Sequence, residues 1–205
     1  MNDTKSMIKN ALILFAITLV AGILLGLVYQ VTKEPIAYQE KLAQDKANQS
    51  VFAAASTFED VAVDDVEAAA ATFDYPGVTI KSVKKALDAS GAALGYVIQV
   101  KSKGYGDFID YTVGITNEGN INGISIISIA ETPGLGMNAR DDASFTKQYT
   151  KPAEPVEQFE VVKAEPSSGN QIQALSGATI TSKAVTGGVN AALAYFSQVL
   201  KGGAA

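Results

Sequence analysis

Ser176-Gly177-Ala178-Thr179-Ile180-Thr181-Ser182 is the stretch on which the reading of this chain turns. It is a run of small and hydroxyl residues set just before an amphipathic segment. In that segment Val185, Val189, Ala192, Leu193, Phe196 and Leu200 recur at helical spacing, which predicts a helix over residues 182–200 with one face packed on a sheet. Gly177 and Ala178 let the backbone come close to a ligand. Thr179 supplies a hydroxyl able to carry a covalent group. A helix start just beyond it offers unpaired backbone N–H groups and a positive dipole end, which suit a phosphate. A Ser/Thr cluster before a helix is also an ordinary N-cap, and spacing alone favours that reading.

Working back from this stretch, the pattern is one of strands. Residues 78–83, 93–100, 109–116 and 121–129 are rich in Val, Ile and Tyr and bounded by turn residues, and 160–164 reads as a further strand. Asn117-Glu118-Gly119-Asn120 reads as the hairpin turn between two of them. Glu131-Thr132-Pro133-Gly134-Leu135-Gly136 follows the longest strand, and Pro-Gly in its middle signals a type II turn. Gly104-Tyr105-Gly106 precedes a core strand and by itself reads as a structural turn. Strands in succession with a packing helix predict an α+β domain with a mainly antiparallel sheet.

Further upstream, Pro35 fits the first turn of a helix running to about Ala55. Asp64, Glu67 and the alanines at 68–71 read as a capping box opening a short third helix. Residues 10–32 carry no charge, and 11–28 are almost wholly apolar. At about 1.5 Å per residue this run is long enough for a hydrocarbon core of about 30 Å. No A-x-A-like site follows it, as a cleaved signal peptide would have, and it lacks the polar face of a soluble core helix. The expectation is an uncleaved, single-pass anchor. Gly22 and Gly26 form a G-x-x-x-G pair that permits close helix packing. Lys5 and Lys9 precede the span and Lys33, Lys41 and Lys46 follow it, so charge does not set the orientation.

Composition removes several function classes. The formal net charge is −5, and Lys5 and Lys9 against Asp3 make the part beyond the apolar run more acidic still, so nucleic acid is not an expected partner. There is no Cys and no His. That excludes cysteine-ligated iron–sulfur clusters, Cys/His zinc sites and Ser-His-Asp or Cys-His catalytic units, and no metal site is expected. No strand leads into G-x-G-x-x-G at a helix start, so there is no dinucleotide motif.

Three of these segments together resemble the FMN-binding domain family. Ser176-Gly177-Ala178-Thr179 resembles its S/T-G-A-T flavinylation motif, Glu131 to Gly136 its E-T-P-G-L-G signature, and Gly104-Tyr105-Gly106 its G-Y-G stretch. They occur in the family's order. Gln173 stands where the family often has an acid. The family includes the G subunit of the Rnf electron-transport complex and the C subunit of the sodium-translocating NADH:quinone reductase. Length and single domain look more like the former. The resemblance implies FMN joined through its phosphate to Thr179, with Ser176, Gly177, Ala178 and Thr181 beside the link. It places Glu131, Thr132, Gly134 and Leu135 in the flavin pocket, Glu131 orienting a flavin edge and Tyr105 packing on the ring. It implies a separate flavin transferase using FAD as donor, other subunits of a membrane complex as partners, and an N-terminus in the cytoplasm with the domain on the outer face. The expected organisation is an anchor at 1–32, a juxtamembrane helical segment at 33–75 and an FMN-binding domain at 76–205. The expected role is an electron-transfer subunit of an ion-translocating oxidoreductase, not catalytic alone. A C subunit of the quinone reductase, an anchored module without redox chemistry and a stand-alone flavin reductase are the competing readings.

Overall fold

A computed structural model of the chain describes residues 2–61, 75–150, 152 and 154–201. The chain divides into two units, Met1–Ala43 and Gln44–Ala205. The expected capping box at Asp64 and Glu67 and the tail at Gly202-Gly203 lie outside the described residues.

Helix α1 is Asn2–Val51, one continuous helix. This corrects the expected second helix beginning at Pro35, because Pro35 lies inside α1. A proline forfeits one backbone hydrogen bond to the preceding turn. Here its ring is exposed and the residues around it (Glu34, Ala37, Glu40, Leu42, Ala43) are good helix formers, so the loss stays local. Within the first unit, Leu12, Phe15, Ile17, Leu19, Ile23, Leu24 and Leu27 are all exposed, and they sit on every side of the helix. The hydroxyls of Thr18 and Thr32 turn back on the helix itself: Thr18 Oγ1 donates to the Leu14 and Phe15 carbonyls, and Thr32 Oγ1 donates to that of Val28. A helix with an apolar outside and internally satisfied polar groups is what a hydrocarbon phase requires. It is a candidate membrane span by length and composition.

In the second unit, β1 (Thr57–Asp60), β2 (Val78–Leu87), β3 (Ala93–Lys103), β4 (Phe108–Thr116) and β5 (Ile121–Ser128) form one sheet in sequence order, every neighbour antiparallel. Strand β1 is too short and too acidic to show a period of two, and the sequence did not announce it. Strand β2 runs past Val83 through Lys84, which pairs with Asp60 of β1 at 2.5 Å. Two short helices, α2 (Asn138–Asp141) and α3 (Ala143–Lys147), and a 3-10 turn at Gln148–Thr150 follow β5. Strands β6 (Glu160–Val162) and β7 (Gln171–Gln173) make a separate parallel pair. Helix α4 is Thr179–Tyr195, continued by a π-turn at Phe196–Leu200.

The whole apolar stripe of α4 and its extension, from Val185 to Leu200, is buried with Ile80, Ile98, Val100, Tyr111 and Val113 of one sheet face. The other face takes the end of α1. Val51 and Phe52 are buried there with Ala86 and Val97. Each buried Val or Phe side chain here stabilises the fold by about 1.5–3 kcal/mol. The approach is close because the facing strand positions are glycines. A Cβ on Gly114 would lie 3.0 Å from Val51 Cβ, and one on Gly123 would lie 3.3 Å from Val51 Cα. Asn122 Nδ2 donates to the Val51 carbonyl and closes the helix end.

Candidate functional site

Helix α4 starts at Thr179, three residues earlier than its sequence suggested. Ala178 occupies the N-cap position and makes no side-chain cap bond. The hydroxyl that shapes the turn is that of Ser182. It accepts from the Leu175 N–H at 2.9 Å and donates to the Ala178 carbonyl at 2.9 Å. Gly177, at φ +71°, makes the reversal that a residue with a Cβ rarely adopts, and a Cβ there would also press on Leu135. The first intrahelical bond runs from Ser182 N to the Ala178 carbonyl, so the N–H groups of Thr179, Ile180 and Thr181 have no acceptor within the helix. No acidic residue lies in this first turn to offset the positive dipole end.

After β5 the chain turns through Thr132-Pro133-Gly134-Leu135. The Leu135 N–H bonds to the Thr132 carbonyl at 3.1 Å and Gly134 has φ +74°, as a type II turn demands. Glu131 sits at the base of this turn, 8% exposed. Its Oε1 accepts from the Gly106 N–H at 3.1 Å and its Oε2 from the Thr181 hydroxyl at 3.0 Å. One carboxylate thus touches the other two segments that the sequence singled out.

Between the three segments lies a cavity of about 530 Å³ lined by Tyr105, Glu131, Thr132, Leu135, Gly136, Gly177, Ala178, Thr179, Ile180 and Thr181. Tyr105, Glu131, Thr132, Leu135, Gly177, Ala178, Thr179 and Thr181 of the expected site are therefore gathered at one place. Ser176 and Gly134 are not among the lining residues. Ser176 is exposed in the turn before α4, and Gly134 faces open space. Gly136 and Ile180 line the cavity although neither stood among the expected contacts. Ile180 had a readable signal, being a large apolar residue off the packed stripe of α4. Gln173 lies in β7 with an exposed side chain, its backbone held on both sides by the Gln148 amide.

Among the described residues of the second unit, the exposed large hydrophobic side chains are Tyr105, Phe108, Leu135 and Ile180. Three of the four border this cavity. A polar surface that gathers its apolar side chains round one hollow marks a binding site for a flat apolar group. The hydroxyls around it differ in availability. Thr181 is 1% exposed and bonded to Glu131, and Ser182 is buried and doubly bonded. Thr179 is half-buried, faces the cavity and makes no hydrogen bond among the described residues.

The FMN-binding domain family matches residues 104–194, and the RnfG N-terminal region matches residues 1–51. The chain is 35% identical over 208 residues to the G subunit of the Na(+)-translocating ferredoxin:NAD(+) oxidoreductase complex of Acetobacterium woodii, covering 97% of this chain and 96% of that one. It belongs to the family of G subunits of ion-translocating oxidoreductase complexes. A second G subunit, that of the proton-translocating ferredoxin:NAD(+) oxidoreductase complex of Clostridium ljungdahlii, is 34% identical over 85% of this chain and 83% of its own. Among solved structures, the C subunit of a Na(+)-translocating NADH-quinone reductase from Parabacteroides distasonis is similar with a TM-score of 0.49 and 19% identity, over 72% of this chain and 77% of that one. In the present member of the family the FMN-binding match begins at Gly104 and so takes in every segment that lines the cavity, while the N-terminal match ends where α1 ends.

Proposed function

We propose that this member of the G-subunit family carries FMN joined through its phosphate to Thr179 Oγ1, and that it relays electrons between redox centres of an Rnf-type membrane complex. The observation that carries the reading is the placing of the Thr179 hydroxyl. Of the two threonines of the Ser176–Ser182 stretch that line the cavity, Thr179 is the one whose hydroxyl makes no hydrogen bond among the described residues. The residues fit the group. The uncompensated N–H groups of α4 suit a phosphate, and Tyr105, Leu135 and Ile180 suit a flavin ring. When bound, the flavin supplies the electron chemistry. The chain's own residues hold it, keep its phosphate fixed and set the charge around it.

A transferase that uses FAD as donor would form the link. Thr179 Oγ1 would be the acceptor: it would take the FMN-side phosphorus of FAD as the pyrophosphate bond breaks, with AMP leaving and the hydroxyl proton released. Intact mass and peptide mapping of protein from its native host test the reading directly. A flavin phosphate on Thr179 is expected, and a chain with no flavin at all would leave the anchored binding module as the better reading. The curated relatives matched over nearly their whole length are G subunits, which favours this role over that of a quinone-reductase C subunit.

Residues 11–28 of α1 serve as the membrane anchor, with the flavin domain on the extracytoplasmic side and other subunits of the complex around it. A chain beginning at Lys33 is expected in the soluble fraction, folded and competent for flavinylation. A chain beginning at Phe52 loses the buried Ala47, Asn48 and Val51, and should be less stable by at least about 1.5–3 kcal/mol, the share of Val51 alone. Fractionation and urea unfolding of the two chains check this, and a Lys33 chain that stayed with membranes would count against the anchor.

A further inference from the structure

The carboxylate of Glu131 is held inside the protein by two donors that come from distant parts of the chain, the backbone of Gly106 and the hydroxyl of Thr181. We propose that Glu131 is a positioning residue that locks the Tyr105 loop to the first turn of α4 and thereby fixes the walls of the flavin cavity. The proposal rests on the flavin reading above. It differs from a direct role in orienting the ring: the two protein bonds of Glu131, one on each oxygen, join the walls to each other.

Space around the carboxylate supports this. A Cβ on Gly104 would overlap Glu131 Oε1, and one on Gly136 would lie 2.7 Å from Oε2 and 2.8 Å from Thr181 Oγ1. Neither glycine has a positive φ. Backbone conformation therefore does not require glycine at either position, and room for the carboxylate does. The first glycine of Gly104-Tyr105-Gly106 and the last of Glu131 to Gly136 are the two sides of a slot for one side chain. Gly106 supplies the donor at its end.

Without the clamp the two walls have little else in common. Tyr105 is 69% exposed. Its loop is otherwise held by the bond from Gly104 N to the Asp107 carbonyl, within the loop itself. Thr181 is on α4 and reaches the loop only through Glu131. A charged acceptor makes stronger bonds to both donors than a neutral one, and truncating it would leave the buried Thr181 hydroxyl without its acceptor and release the Gly106 N–H. Glutamine keeps the shape. Its oxygen can accept from Gly106, and its NH₂ can donate to the Thr181 oxygen.

The test uses the full-length flavinylated protein with Glu131→Ala, Glu131→Gln, Thr181→Val and the Ala/Val double variant. Flavin content at Thr179 is read by mass, ring mobility by fluorescence anisotropy, and protection of the Gly106 amide by hydrogen exchange on the apoprotein. Glu131→Ala and Thr181→Val should keep flavin on Thr179 yet lower its anisotropy, and Glu131→Ala should lose Gly106 protection. The double variant should be no worse than Glu131→Ala, as for two ends of one link. Glu131→Gln should retain both anisotropy and Gly106 protection and change only the midpoint potential, upward, because a negative charge beside the cavity is gone. If Glu131→Ala does not fold, Thr181→Val reads the same link from the helix side. Wild-type anisotropy in Thr181→Val, or additive losses in the double variant, overturns the proposal. Absence of flavin from wild-type Thr179 would instead overturn the reading on which it rests, and the Gly106 exchange result would still stand by itself.

Discussion

Thr179→Ala is expected to abolish covalent flavin while leaving the domain folded. The change removes a hydroxyl that makes no hydrogen bond among the described residues and one half-buried methyl, at the first position of α4. Alanine is a good helix former, so stability should move by no more than about 0.5 kcal/mol. What is lost is the phosphoester, and with it all flavin that survives denaturation. The neighbouring hydroxyls should not substitute. Thr181 is buried against Glu131, and Ser182 is spent on Leu175 N and the Ala178 carbonyl. Thr181→Ala should therefore keep most of the covalent flavin. Wild-type protein expressed without a flavin transferase should be apoprotein of the same fold. Fluorescence of the denatured band, followed by peptide mapping, reads all three. Flavin found on Thr181 or Ser182 would show that the hydroxyl accounting in the folded domain does not govern the modification.

The same stretch shows what the sequence could and could not tell. Small residues before an apolar stripe announced a helix and a backbone able to approach a ligand, and the stripe from Val185 to Leu200 is buried as its spacing required. The long strands β2 to β5 were legible because β-branched residues alternate between turn signals. Strands β1 and β7 and helices α2 and α3 were not, because three to five residues give too few repeats to define a period. The start of α4 was misplaced because its apolar stripe begins only at Val185, whereas the helix opens at Thr179, beyond a turn that the Ser182 hydroxyl closes. Pro35 misled for a similar reason. A local rule placed a boundary where good helix formers on both sides carry the helix through. At the site, the resemblance named the segments, but only the fold shows that Gly104 and Gly136 share one task. Their nearest common neighbour, Glu131, is far from Gly104 in sequence.

Gly187 and Gly188 give the sharpest separation between sequence and packing. Both lie within α4, where glycine costs roughly 1 kcal/mol relative to alanine. By propensity alone, either change to alanine should stabilise. At Gly187 that should hold. A Cβ there would find its nearest neighbour at 4.0 Å, so Gly187→Ala should gain about 0.5–1 kcal/mol. At Gly188 the sign should reverse. A Cβ would overlap the Tyr111 hydroxyl, and it would lie 2.5 Å from Ser102 Oγ and 2.8 Å from Val100 Cγ1. That hydroxyl is fully buried, bonded to Ser102 Oγ at 2.8 Å and donating to the Val185 carbonyl at 2.9 Å, and burial pushes its pKa well above the usual phenol value. It stays protonated and cannot move without losing both partners. Overpacking costs about 1–3 kcal/mol and a disrupted buried hydrogen bond a similar amount, which together exceed the gain in propensity. Gly188→Ala should thus destabilise by about 3 kcal/mol, read as a lower urea midpoint with an unchanged slope. Tyr111→Phe removes the atom that the new methyl strikes first. Placed on top of Gly188→Ala, it should cost less than it does in the native domain, with relief incomplete because Ser102 and Val100 remain in the way. If the two changes simply add, the cost at Gly188 does not come from the tyrosine hydroxyl, and the seating of α4 on the sheet is looser than these contacts indicate.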